Sequence, residues 1–145
     1  FLATGAETPD WLIARGAPRE RVFPFAYFLS PPKTIASPTT ADGRFRVLFV
    51  GQLVHRKRLA LLIDALGRVG SDAVELVVAG AGELEAELRE RAFRTLGDRV
   101  RWLGRQSQGS IAATMASADC LVLPSRFDGW GAVASEALLV GTPVI

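Results

Sequence analysis

Histidine and cysteine are nearly absent from this chain, and their scarcity removes several chemistries before any motif is read. One histidine, His55, and one cysteine, Cys120, in 145 residues leave no ligand spacing for a metal site and no internal disulfide. The same shortage argues against a Ser-His-Asp or Cys-His hydrolase built within these residues, and Leu121-Val-Leu-Pro-Ser-Arg does not read as a nucleophile elbow. His55 reads as a surface loop residue. Cys120 stands in an apolar run and reads as a buried core thiol, which fits a reducing compartment. Long apolar runs are missing as well. None approaches the roughly 18 residues needed to cross a bilayer, and the N-terminus lacks the charged-then-apolar layout of a signal peptide. Nor does one sign of charge dominate: 17 Lys and Arg against 15 Asp and Glu give a net charge of +2, mixed along the chain, so no nucleic-acid partner is implied. The expected localisation is cytoplasmic, with membrane association of a longer protein left open.

What is present is ample apolar material, 49% of the residues, enough for the core of one domain. Residues 45–51 are a β-rich run ending in glycine, and 59–69 repeats apolar residues at helical spacing. The pattern recurs. Residues 74–79 read as a continuous apolar strand, Gly80-Ala-Gly82 as a turn, and 83–93 as a charged amphipathic helix. Residues 100–103 are strand-like, Ser107 is a candidate N-cap for a helix to about Ser117, 119–123 is again a strand, and 132–140 a last helix. Short apolar strands without alternation, each followed by a helix, predict a doubly wound parallel α/β sheet covered on both faces. Ligands of such sheets bind beyond the strands' carboxyl ends, where strand order reverses, which singles out the loops 51–58, 80–83, 104–107 and 124–131.

Residues 1–44 differ in character. A short helix at 9–15 and the run Val22-Phe-Pro-Phe-Ala-Tyr-Phe-Leu precede a link rich in Pro, Ser and Thr. This segment reads as a boundary, its aromatics expected to pack against this domain or another. Residues 45–145 form the ligand-binding domain. Starting at Phe1 without methionine and stopping at Ile145, where a further strand would begin, the chain is read as a fragment truncated at both ends.

The densest chemistry lies in Leu121-Val-Leu-Pro-Ser-Arg-Phe-Asp-Gly-Trp-Gly-Ala-Val-Ala-Ser-Glu-Ala-Leu. A strand ends in a Pro-Ser turn and a glycine loop, which opens a helix interrupted by one carboxylate, Glu136. A helix start after glycines offers unpaired amides and a positive dipole end to an anion, most naturally a phosphate. Asp128 precedes Glu136 by eight positions. Two carboxylates beside an anion site point to a sugar nucleotide.

With these loops placed, residues 45–145 resemble the C-terminal, donor-binding domain of family-four retaining glycosyltransferases of the GT-B fold. Val50-Gly51-Gln52-Leu53 with Lys57 is similar to a Val-Gly-Arg-Leu then Lys-Gly motif, and Gly80-Ala-Gly82 and Val100-Arg-Trp-Leu-Gly104 are similar to the next two. Pro124-Ser125 through Glu136-Ala137 and Gly141-Thr-Pro-Val resemble the carboxylate motif, in which two acids flank seven residues. Arg21-Val22-Phe23-Pro24 resembles the stretch that links the two domains. The chain departs from the pattern with Asp128 in place of the first Glu, Gln52 in place of Arg, and Arg58 in place of Gly. One cation is therefore missing, for which Arg56 or Arg58 is a candidate substitute.

The resemblance implies a nucleoside diphosphate sugar as donor, no obligatory metal or other cofactor, and an acceptor glycan, lipid or small molecule held mainly by an N-terminal domain outside this sequence. It implies catalytic roles for Lys57, Asp128 and Glu136. Lys57 would stabilise the departing diphosphate; the alternative is a solvated His-Arg-Lys-Arg loop. Glu136, among neighbours that leave little of its helix to face water, would accept hydrogen bonds from the ribose hydroxyls; the alternative is an exposed residue or a structural ion pair. Asp128 with Gly129, Trp130, Gly131 and Ala132 would surround the sugar and distal phosphate, although Asp128 could serve only as a helix cap and Trp130 only as core. Gly51, Gln52, Arg56, Arg58, Gly80, Gly82 and Ser125 complete the implied donor contacts, and Leu103, Gly104 and Arg105 lie beside the base. Two other readings stand beside this one. A noncatalytic nucleotide-binding or interaction module of the same fold is compatible with Gln52 and Arg58, and a nicotinamide dehydrogenase suffers from Glu85 where a third glycine is needed.

Overall fold

The computed structural model describes residues 1–26, 29 and 43–145, and its packing divides the chain into Phe1–Ser30 and Pro31–Ile145. In the first unit, β1 (Leu2–Thr4) pairs in parallel with β2 (Phe23–Phe25), joined through α1 (Thr8–Ile13). Pro9 sits in the first turn of α1, where a missing amide costs nothing. Phe23 and Phe25 of β2 are exposed in this chain, which leaves open the expectation that these aromatics pack against another domain. Tyr27, Phe28 and the Pro-rich link to residue 42 lie outside the described residues.

The second unit is the parallel α/β domain that the hydrophobic pattern predicts. Its elements run β3 (Phe45–Val50), α2 (Leu59–Val69), β4 (Val74–Ala79), α3 (Glu85–Leu96), β5 (Val100–Gly104), α4 (Gln108–Ala116), β6 (Cys120–Leu121) and α5 (Ala132–Leu139). The sheet order is β5-β4-β3-β6, all parallel. The chain therefore steps outward from β3 to β5, then crosses back to the other side of β3. That reversal places a crevice between the loops that follow β3 and β6.

Alternate residues of the strands feed opposite layers. Val47 and Phe49 pack with Leu59, Leu62 and Ile63 of α2 and Leu88, Ala92 and Leu96 of α3, while Leu48 and Val77 pack with Met115 of α4 and Ala137 of α5. Burial on both faces explains why the inner strands β3 and β4 run without alternation through Val47–Phe49 and Leu76–Ala79, whereas the edge strand β5 carries the exposed Arg101. Cys120 is buried, as its surroundings in the sequence require, and burial pushes its thiol pKa above the ordinary value. On the outer surface Arg91 of α3 grips Asp64 of α2 through two parallel hydrogen bonds of 2.8 and 2.5 Å, and this grip holds the Asp64 carboxyl below its ordinary pKa.

Two boundaries differ from the sequence expectation for local reasons. Helix α3 begins at Glu85 rather than 83, because the amides of Leu84 and Glu85 are bound to the carbonyls of Leu53 and Gly82. It runs on to Leu96 and stops at Gly97, whose positive φ of 62° terminates it. Strand β6 covers only Cys120–Leu121 rather than 119–123; at its start the Asp119 carboxylate takes the Arg46 amide at 2.6 Å, and past its end Val122 and Leu123 still donate to the carbonyls of Leu48 and Ile145. Val144 bridges Leu121 in parallel, so the run after Gly141-Thr-Pro does return to the sheet.

Candidate functional site

At the crevice, the loop after β3 turns sharply through a 3-10 helix at His55–Lys57 and enters α2 through Arg58. Arg58 is the only non-glycine residue with positive φ among those described, at φ 53° and ψ 36°. A side chain in this left-handed conformation costs about 1–2 kcal/mol, which supplies a physical reason for glycine to be the usual residue here. Arg58→Gly should accordingly raise unfolding stability by about 1 kcal/mol, read as a shift of the urea midpoint at unchanged slope. An unchanged or lowered midpoint would mean that the arginine side chain more than offsets the strain.

The turn draws Lys57 inward. Its side chain is buried, its methylenes lie over Gly51, and its ammonium is ion-paired to the Asp128 carboxylate. The amide of Arg126 donates to the carbonyl of Arg56 at 2.9 Å, stitching this loop to the one that follows β6. The guanidinium of Arg56 stands 3.8 Å from the second Asp128 oxygen. Helix α5 follows Gly131, its N-cap at φ 63°, and Gly131, Ala132 and Val133 line the same crevice.

Between these loops lies a cavity of about 530 Å³, a volume within the usual range for small-molecule ligands. It brings together most of the residues singled out in the sequence: Gly51, Gln52, Arg56, Lys57 and Gly80 on one side, Arg105 beside α4, and Asp128, Gly131, Ala132 and Glu136 on the other. Glu136 makes no hydrogen bond or ion pair among the described residues. The helix that carries it, expected to leave little of itself to face water, is more open than that. Helix α5 is not mostly shielded from water: Leu138 is 62% exposed, and Ala137 alone is buried, because the helix touches its neighbours along one narrow side.

The remaining candidates lie off the cavity wall. Gly82 packs against the Leu53 backbone, so close that a Cβ would stand 2.5 Å from the Leu53 carbonyl oxygen; its place is steric. Leu103 packs in the layer beneath α4, and Gly104 offers its carbonyl to the Gly80 amide at 2.8 Å. Arg58, Gly129 and Trp130 are exposed. The hydroxyl of Ser125 is buried without a hydrogen-bond partner. The sequence reading missed Gln106, Gln108 and Ile111, which line the cavity from the loop after β5 and the first turn of α4. Polar glutamines at a helix start facing one of the four marked loops were the available signal. His55 is exposed, and no group of three or more His, Cys, Asp or Glu side chains capable of holding a metal occurs among the described residues.

A family model described as glycosyl transferases group 1 matches residues 32–145. The chain belongs to this family. Among curated relatives in it, an uncharacterised glycosyltransferase of Methanocaldococcus jannaschii is 35% identical over 107 residues, covering 72% of this chain and 27% of the relative. The glycogen synthase of Mycobacterium tuberculosis is 32% identical over 106 residues, 71% of this chain and 26% of the relative. The chain thus spans about a quarter of the length of these relatives. Solved structures agree on the GT-B fold. The apo lipopolysaccharide outer core galactosyltransferase WaaB is 25% identical with a TM-score of 0.79, covering 99% of this chain and 41% of that one. Anabaena HepE in complex with UDP-glucose is 25% identical with a TM-score of 0.81, covering 99% and 43%. Among the described residues no helix is long and apolar enough to cross a membrane.

Proposed function

We propose that this chain carries the donor site of a retaining glycosyltransferase, taking a sugar from a nucleoside diphosphate sugar and delivering it to an acceptor hydroxyl. The observation that carries the reading is the convergence on one cavity of a buried ammonium at Lys57, an unpartnered carboxylate at Glu136 and the amide end of α5. The binding of UDP-glucose by a structure of similar fold supports it. On this reading residues 45–145 form the donor-binding domain and 1–44 the link to an acceptor-binding domain.

The chemistry follows from charge placement. The bond between the sugar C1 and the diphosphate oxygen breaks with its electron pair going to the diphosphate, the acceptor oxygen bonds to C1, and the acceptor proton passes to the departing diphosphate. Negative charge grows on the departing diphosphate, where Lys57 and the start of α5 are fixed in advance to receive it. Glu136, ionised, accepts two hydrogen bonds from the ribose hydroxyls and holds the nucleotide. Asp128 keeps Lys57 in place and faces the transferred sugar. Holding the donor rigidly supplies much of the rate through orientation, and no obligatory metal is needed for the leaving group.

The test is turnover by the full-length protein against a panel of UDP-, ADP- and GDP-sugars with a chelator present. Donor-dependent release of nucleoside diphosphate that survives the chelator, with product of unchanged anomeric configuration, is the expected result. Donor binding without transfer to any acceptor offered would sink the catalytic assignment, and inversion of configuration would sink the retaining one.

A further inference from the structure

The two cations nearest the Asp128 carboxylate are not equally committed. Lys57 gives its charge directly to Asp128, and a diphosphate entering the cavity carries more than one negative charge. Arg56 lies on the same wall, and its guanidinium is held by three oxygens at long range. One nitrogen donates to the Gln52 side-chain oxygen at 3.4 Å, and the other donates to the Phe127 carbonyl at 3.5 Å and lies 3.8 Å from Asp128. Contacts of this length orient a guanidinium without saturating its five donors. Its backbone, by contrast, is pinned by the 2.9 Å bond from Arg126. The group is therefore aimed at the cavity with donors to spare.

The identity of residue 52 fits this arrangement. A second cation at 52 would face the Arg56 guanidinium at hydrogen-bond range and repel it, whereas an amide oxygen accepts from it. Arg58 does not take the same part, since it is exposed and does not line the cavity.

We propose that Arg56 supplies the second cation for the diphosphate, with Gln52 as its positioning residue and with no contribution from Arg58. The proposal rests on the donor-site reading above and deepens it. A planar guanidinium suits the task, since it can present two parallel donors to phosphate oxygens while Lys57 bridges to Asp128.

The test measures affinity of the full-length protein for UDP, ADP and GDP and for their nucleosides, by calorimetry for the former and ligand-observed NMR for the latter. Wild type binding none of the three diphosphates would overturn the donor-site reading itself. Given binding, Arg56→Ala should weaken the preferred diphosphate about ten- to a hundredfold and leave its nucleoside unaffected, while Arg58→Ala changes neither. Gln52→Leu should weaken diphosphate binding about three- to tenfold when Arg56 is present and have no effect in the Arg56→Ala background. Unchanged diphosphate affinity in Arg56→Ala, or an equal loss for diphosphate and nucleoside, would overturn the assignment of Arg56. Additive effects of Gln52→Leu and Arg56→Ala would overturn the positioning role.

Discussion

Replacing Gly80 with alanine will cost the domain at least about 3 kcal/mol, enough to leave much of it unfolded at ordinary temperature. A Cβ at this position would lie 1.8 Å from the carbonyl oxygen of Gly51 and 2.9 Å from its carbonyl carbon. Both are backbone atoms that cannot swing aside. Gly51 is itself anchored through its amide to Ala79, and Gly80 donates to Gly104, so relieving the clash means separating the ends of β3, β4 and β5. Gly109 provides the control. It lies inside α4 with ordinary φ and with open space where its Cβ would be, so Gly109→Ala should stabilise by about 0.5–1 kcal/mol. Urea unfolding of the pair decides the matter: two similar midpoints would show that the loops after β3 and β4 can part cheaply.

If the proposed transfer is right, Lys57→Met should lower kcat of the full-length protein about a hundred- to a thousandfold while the protein remains folded. Methionine keeps the stem that covers Gly51 and removes only the charge, so the change reports on the leaving-group interaction rather than on packing. Glu136→Gln should divide differently. On the proposed assignment Glu136 contacts the ribose equally before and during the reaction, so weakening that contact raises the donor KM more than it lowers kcat. Steady-state kinetics on both variants with one donor gives the comparison. If Lys57→Met retains kcat, the Lys57–Asp128 pair is a structural tie between two loops and nothing more.

The reach of the sequence can be seen in these same residues. Strand identity and helix order were legible because β3 and β4 are apolar on both sides along most of their length, and Ser107 announced α4 by capping the Ser110 amide with its side chain. Lys57, Asp128 and Glu136 were reachable because each stands in a loop or about a turn into a helix, at the end where a parallel sheet gathers its loops. Contacts made across the fold were not legible. Nothing in the spacing of Gly80-Ala-Gly82 tells that Gly80 borders the cavity while Gly82 is spent on the Leu53 backbone. The exposure of α5 was misjudged for a related reason: an apolar run gives no direction, and the number of neighbours a helix finds is a property of the tertiary fold. Arginine itself carries no preference for the left-handed turn at position 58; only the glycine of the resembled motif pointed to it.

The strand order has a further consequence, in the order in which the chain can be put together. Strands β3, β4 and β5 each pair with the strand just before or after them in the chain, so their contacts close short loops. The union of β3 with β6 closes a separation of 73 residues, a larger entropic debt that only finished structure in between can reduce. The cationic loop and the acidic loop lie on opposite sides of that long closure. The ammonium of Lys57 and the carboxylate of Asp128 therefore meet only when the crossing strand docks, and the binding cleft is complete no sooner than the sheet.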